Sequence, residues 1–291
     1  MEDLGELKPV ASILNTSFND IESQDQSNSA KGIPVNFYDF DAMTQGLQPG
    51  NLMILGGRPA MGKTSFGLNL ARNIAQLHHL PICIFSLDML EEQLTYRLLS
   101  MEIGIEAGRL RTGRLQQEEW PLLREGLKTL SQMPIFISDK RNITVKEMTS
   151  TCKKVKKQQG KELGLVLIDY FQLMNGQVYN SRKEELSAIA IALKAMAADL
   201  KVPVIVISQL KRRRVESRKN KRPMSRDLCN TNSLEPYADS IFMVYRDEYY
   251  NPQGKDQGIT EIIFSKQRNG PVGTVKLLFE PQFTRFRNLA A

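Results

Sequence analysis

The sequence predicts an α/β protein with a mostly parallel central sheet and an antiparallel extension at its C-terminal end. Three observations predict it. Short apolar runs alternate with helix-periodic stretches through the first two-thirds of the chain, as βαβ units with right-handed crossovers require. Two of these runs, Leu163 to Asp169 and Val202 to Gln209, are continuous rather than alternating, which suits strands covered on both faces. From Ser240 onward the apolar runs follow one another closely, which suits antiparallel pairing.

The first strand–helix junction carries the chemistry. The apolar run Asn51 to Gly56 leads into Gly57-Arg58-Pro59-Ala60-Met61-Gly62-Lys63-Thr64, and residues 65–75 leave it with helical spacing. A glycine, four residues, then Gly-Lys-Thr is phosphate-loop spacing. Glycines let backbone N–H groups turn inward around a polyphosphate, a lysine reaches its outer phosphates, and a threonine hydroxyl can hold Mg²⁺. The helix start adds its dipole and orphan N–H groups. Gly57 through Thr64, with Ser65, therefore form the expected binding loop for ATP or a related nucleotide.

Composition narrows the rest. At 291 residues the chain holds one large domain, or one with an appendage. Its 41% hydrophobic and 24% charged content is that of an ordinary globular protein. Three scattered cysteines do not make a disulfide framework or a zinc cluster. No apolar run approaches the ~18 residues of a membrane helix. The acidic start, Met1 to Glu6, has the order of neither a signal peptide nor a transit sequence. The net charge of +7 favours a polyanionic partner, and the charge is concentrated: eight of the twelve residues from Lys211 to Arg222 are basic.

Residues 1–32 read as a helix on a tether. Val10, Ile13, Leu14, Phe18 and Ile21 share one helical stripe, and a polar stretch, 24–32, follows. Such a stripe must either fold back on its own domain or dock on a neighbouring subunit. Residues 33–291 form the main domain, with 33–50 an irregular lead-in. Leu80 to Asp88 is a strand, 89–103 a helix, and 106–133 further helical spacing around Trp120, read as local packing. Pro134 to Ser138 is a strand. Thr144 and Glu147 make a capping box for a helix running through Lys157. A helix from Arg182 to Leu200 precedes the strand ending at Gln209. The closing strands are Ser240 to Tyr245, Ile259 to Ser265 and Gly273 to Phe279.

Ligands of open α/β sheets bind beyond the C-terminal ends of the strands, so Asp88, Asp169 and Gln209 are expected on the same rim as Lys63. Asp169 suits a Walker-B acid supporting Mg²⁺. Asp88 either positions the attacking water or caps the next helix. Gln209 either senses the γ-phosphate or simply ends its strand.

The chain resembles the C-terminal, RecA-like ATPase domain of DnaB-type replicative helicases. The resemblance rests on Gly56 to Thr64, Ile84 to Met89, Leu167 to Leu173, Ile207 to Leu210, Tyr245 to Glu248 and Lys266 to Gly273, collinear across residues 33–289. It implies an ATP-dependent helicase that translocates on single-stranded DNA as a ring homo-hexamer, with ATP sites between subunits. It implies that Lys63 and Thr64 hold phosphate and Mg²⁺, and that Asp169 is the Walker-B acid. It makes Arg268 of the neighbouring subunit the arginine finger, with Lys266 beside it. Residues 7–23 resemble the family's linker helix, which docks on the next subunit. The basic segment would meet single-stranded DNA through Arg212, Arg213, Arg214, Arg218, Lys221 and Arg222, and the following loop through Asn230 and Asn232. Primase, a helicase loader or a separate chain carrying the N-terminal domain are the further partners implied. The expected location is bacterial cytoplasm, at the nucleoid, or an organelle interior such as plastid stroma.

The sequence departs from the family pattern in four ways. Asp88 stands where the family has glutamate. Cys229, Asn230 and Asn232 replace an arginine, a glutamate and a glycine. The run Lys211 to Arg214 is one residue longer and more basic than usual. Full-length members also carry an N-terminal collar domain, whereas this sequence opens at the linker helix, so a fragment, a short paralogue or one product of a split gene is expected. These departures leave a second class of function open: a ring protein that binds ATP and DNA but hydrolyses slowly. A RecA-like recombinase or clock-type ATPase is the third reading.

Overall fold

A computed structural model describes Val10, Leu14 and residues 32–176, 181–211, 215–228 and 234–289. Val10 and Leu14 are helical and exposed; Ile13, Phe18 and Ile21 of the same stripe lie outside the described residues.

The described residues form α1 (Tyr38–Thr44), β1 (Leu52–Gly57), α2 (Lys63–His78), β2 (Ile82–Ser86), α3 (Glu91–Ile103), α4 (Ala107–Thr112) and α5 (Glu119–Ser131). These are followed by β3 (Ile135–Ser138), α6 (Val145–Gln159), β4 (Leu165–Asp169), α7 (Arg182–Leu200) and β5 (Val204–Gln209). The closing strands are β6 (Ser240–Tyr245), β7 (Ile259–Gln267), β8 (Gly273–Glu280) and β9 (Arg285–Asn288). One nine-stranded sheet runs in the order β3-β2-β4-β5-β1-β6-β7-β8-β9. Pairing is parallel from β3 to β6 and antiparallel from β6 to β9. This is the expected α/β class, with its parallel sheet and antiparallel extension.

The continuous apolar runs are explained by burial on two faces. Within β1, Leu52 and Ile54 enter the core on the α6–α7 side, while Met53 and Leu55 enter the core on the α2 side. Val166 and Ile168 of β4, and Val204 and Val206 of β5, point the first way; Leu165, Leu167, Ile205 and Ile207 point the second. Side chains alternate faces along a strand, so a strand between two layers must be apolar throughout. The second core centres on Phe40, Phe66, Phe242 and Phe264; Phe40 lies 5.2–5.9 Å from the other three rings.

The capping box of α6 is present: Thr144 accepts from the Glu147 N–H, and Glu147 accepts from the Thr144 N–H at 2.8 Å. Several expectations are corrected. The 33–50 lead-in contains α1, a two-turn helix whose N-cap Phe37 offers no side-chain acceptor and so gave no start signal. The 106–133 stretch is two helices, broken where Gly113 adopts left-handed φ. Trp120 is 47% exposed, so it is not a packing centre. The helix after β2 begins at Glu91 rather than Met89, because Ser86 and Met89 close a turn before it. The short strand β9 adds an edge the sequence reading lacked. No helix of the described residues is long and apolar enough to cross a membrane.

Candidate nucleotide site and its surroundings

The phosphate loop bridges β1 and α2. Gly57 closes β1 against β5 and β6, and a Cβ there would come within 3.1 Å of the Lys63 side chain and the Val244 carbonyl oxygen. Gly62 is the N-cap of α2 with φ of 94°, a conformation that favours glycine. Neither the N-cap nor the first turn of this 16-residue helix supplies a carboxylate. Its N-terminal N–H groups and dipole are therefore available to an anion from outside the chain.

Lys63, Thr64, Asp88, Asp169 and Gln209 line one cleft of about 430 Å³, together with Pro59, Ala60, Gly62 and Ser65. Lys63 Nζ donates to the Arg58 carbonyl at 2.8 Å. Burial lowers the Lys63 pKa to about 8, against the opposing pull of Asp169. Thr64 Oγ1 donates to Asp169 Oδ2 at 2.6 Å. Burial raises the Asp169 pKa, with the Thr64 hydrogen bond and Lys63 working the other way. A hydroxyl held by a buried carboxylate beside a helix N-terminus is a donor set that fits Mg²⁺ carried in on phosphates. Such a metal keeps most of its shell as water and phosphate oxygen and needs few protein ligands. Among the described residues no group of three or more His, Cys, Asp or Glu forms a metal cage.

Asp88 lies two residues beyond β2, exposed on the rim of the cleft. It does not cap the helix that follows: the N-cap is Leu90, whose N–H meets Gln93. Gln209 ends β5, and its backbone is gripped from both sides by one residue. Gln172 Oε1 accepts from the Gln209 N–H at 3.2 Å, and Gln172 Nε2 donates to the Gln209 carbonyl at 3.1 Å. Sequence reasoning gave Gln172 no role; its place three residues after Asp169, beside the neighbouring strand's end, was the available signal. Arg97, Tyr170, Arg246 and Phe279 also line the cleft and were not singled out. Arg97 enters from α3, and burial lowers its pKa while Asp169 acts the other way.

Arg268 and Lys266 do not line this cleft. β7 runs antiparallel to β6, so the residue after Gln267 emerges beside Ser240, at the edge where β6 begins. The phosphate loop leaves the opposite edge. Five residue steps along β6 at about 3.3 Å each separate the two edges by roughly 17 Å. Arg268 is half exposed, its N–H donating to the Asp239 carbonyl at 2.9 Å and its guanidinium 3.5 Å from Asp239 Oδ1. Asp239 is itself fixed by Lys194 at 2.6 Å and by the Leu52 N–H at 2.8 Å. Lys266 Nζ donates to the Glu235 carbonyl at 2.7 Å.

The basic segment differs from expectation. Arg218 makes a two-pronged pair with Asp227 at 2.7 and 2.6 Å, and Asp227 is buried. Arg222 makes another with Glu261 at 2.7 and 2.6 Å and lies over the Tyr245 ring. Lys221 Nζ donates to the Glu216 carbonyl at 2.6 Å. These three cations are engaged by their own chain because two buried carboxylates and a turn carbonyl need them. Each keeps part of its surface, Arg222 43% of its side chain, so an outside strand would compete with these internal partners. Arg212, Arg213, Arg214, Asn230 and Asn232 lie outside the described residues. Arg58, expected in the binding loop, turns its side chain away from the cleft to Glu216 and Tyr250.

Residues 32–288 match the DnaB-like helicase C-terminal domain family. The chain belongs to this family. DnaB-like relatives agree in sequence and in fold. The chain is 42% identical over 288 residues to the replicative DNA helicase DnaB of Geobacillus stearothermophilus, covering 98% of this chain and 63% of that protein. A solved ATPase domain superposes with a TM-score of 0.92 at 36% identity, covering 98% of this chain and all of that one. A DnaB-like replicative helicase, solved in a study of its interactions with primase, gives 0.89 at 35% identity over 98% of this chain and 68% of that one. The DnaB-like fold is thus the RecA-like ATPase core expected from the sequence.

Proposed function

We propose that this chain is the motor of a replicative DNA helicase, hydrolysing ATP at the interfaces of a homo-hexameric ring and moving along single-stranded DNA. One observation carries the shared-site reading. The phosphate loop and Asp169 sit at one edge of the sheet and Arg268 at the other, so an Arg268 that reaches phosphate reaches that of another copy.

Lys63 and the backbone N–H groups of residues 60–65 bind the outer phosphates of ATP. Thr64, with Asp169 behind it, would hold Mg²⁺, which would supply neutralisation of charge on the phosphate oxygens. Asp88 orients the attacking water from the rim. Arg268 of the adjacent subunit, with Lys266, meets charge developing on the transferred phosphoryl group. Gln209, held by Gln172, senses the outer phosphate at the root of the basic segment. DNA contact falls to the Lys211–Arg214 run and the 229–232 loop, which grip phosphates without reading bases. Primase and a loader are the protein partners, and bacterial cytoplasm or plastid stroma is the setting. A second reading, a ring protein with slow turnover, is favoured by Asp88, whose carboxylate is one methylene short of the family's glutamate, and by the altered 229–232 loop.

Complementation tests the shared site. Lys63→Ala and Arg268→Ala chains are each inactive alone, and mixing them restores part of the ATP turnover. The mixture contains interfaces that join an intact Lys63 to an intact Arg268. Two inactive chains that stay inactive together would rule the shared site out.

A further inference from the structure

Arg58 occupies a phosphate-loop position, yet among the described residues it is one of the most buried charges, at 6% exposure. Its Nη1 donates to Glu216 Oε1 at 2.5 Å and to the Tyr250 hydroxyl at 3.1 Å. Glu216 is placed at the root of the basic segment. It directly follows Val215, which is buried in the core, and its own carbonyl receives Lys221 Nζ. Tyr250 stacks on Tyr245 with ring centroids 5.9 Å apart, and Arg222 covers Tyr245. The backbone of Arg58 faces the other way, its carbonyl accepting from Lys63 Nζ at 2.8 Å. One residue thus touches the phosphate-site lysine through its main chain and the base of the basic segment through its side chain.

We propose that Arg58 and Glu216 form a strut that transmits the state of the phosphate loop to the basic segment. Arg58 is then a positioning residue and not a phosphate ligand. The physical basis is geometric. The guanidinium is planar and rigid, and water has almost no access to it, so a shift of the loop at Arg58 cannot be absorbed by solvating the charge. The shift must move Glu216 or break the pair. Glu216 precedes the residues that anchor the segment, Arg218 on Asp227 and Arg222 on Glu261, so displacement at Glu216 acts upstream of fixed points. The strut deepens, and rests on, the reading of this chain as an ATP-driven motor on DNA.

The strut predicts thermodynamic coupling between two ligands. Affinity for a fluorescent oligo(dT) is measured with and without a non-hydrolysable ATP analogue on the full chain, and the ratio is the coupling factor. Couplings of this kind run from about 5- to 150-fold and are reciprocal. In Glu216→Ala the factor falls to within about twofold of one, while oligo(dT) affinity without nucleotide stays within about twofold of wild type. Glu216→Gln keeps an acceptor oxygen and its shape, and falls between the two, so the test survives a poorly folding alanine variant. Arg58→Ala, Glu216→Ala and the double variant lose the same amount of coupling, because all three break the Arg58–Glu216 pair that carries it. A wild-type coupling factor in both Glu216 variants, or losses that add in the double variant, would overturn the strut. A wild-type chain whose oligo(dT) affinity ignores nucleotide overturns the motor reading as well, and shows itself before any substitution is made.

Discussion

Replacing Arg218 with alanine separates a structural role from a strand-contact role for the basic segment. In the structure the guanidinium holds both oxygens of Asp227, at 2.7 and 2.6 Å, and also donates to the Arg222 carbonyl at 3.0 Å. Asp227 is 1% exposed and Arg218 20%. Removing the arginine leaves a buried carboxylate held by the Met224 N–H at 2.8 Å, with its one ion pair among the described residues broken. Breaking a buried pair from one side costs about 3–5 kcal/mol, and partial exposure of the arginine puts this case near 3. At about 2–4 °C per kcal/mol for a domain of this size, thermal unfolding should fall by roughly 6–12 °C. Arg218→Lys recovers part of the loss, since an ammonium meets one oxygen where the fork meets two. Exposed Lys219 is the control, and Lys219→Ala should stay within about 0.5 kcal/mol of wild type. Circular dichroism melts of the four chains under one salt condition give the comparison. If Arg218→Ala melts within about 1 °C of Lys219→Ala and instead binds single-stranded DNA more weakly, the ion-pair reasoning is wrong.

Two further substitutions probe the site and the core. Asp88→Glu extends the rim carboxylate by one methylene towards the cleft; if Asp88 orients the water, steady-state turnover rises by up to about a hundredfold, and an unchanged rate removes it from that role. Phe40→Ala empties the centre of the aromatic cluster against Phe66, Phe242 and Phe264, and should lower stability by about 3–5 kcal/mol in denaturant unfolding. A loss below about 1 kcal/mol would mean the α1 contacts are not part of the domain's core.

The parts of the chain that were legible in sequence are those decided by local pattern. The capping box at Thr144 and Glu147, the helix Arg182–Leu200 and the twice-buried strands β4 and β5 each follow from residues adjacent in the chain. The phosphate loop was legible because its glycines answer to backbone demands at fixed spacing. What escaped was decided by distant partners. Nothing near Arg222 shows that Glu261, 39 residues on, will take its charge, and nothing near Arg58 points to Glu216, 158 residues away. Charge density therefore read as a surface for DNA where part of it is internal bracing. Arg268 was identified by motif, but its place on the far edge depends on β7 reversing direction against β6, which is a property of the whole sheet.

Lys63 is proposed to anchor a nucleotide whose hydrolysis single-stranded DNA accelerates. Phosphate release by the purified chain, with saturating ATP and Mg²⁺ and with or without oligo(dT), tests it against a Lys63→Ala blank. The expected result is turnover that oligo(dT) accelerates and that the substitution abolishes. Turnover no higher than the blank in both conditions, or turnover that Lys63→Ala leaves intact, would contradict it.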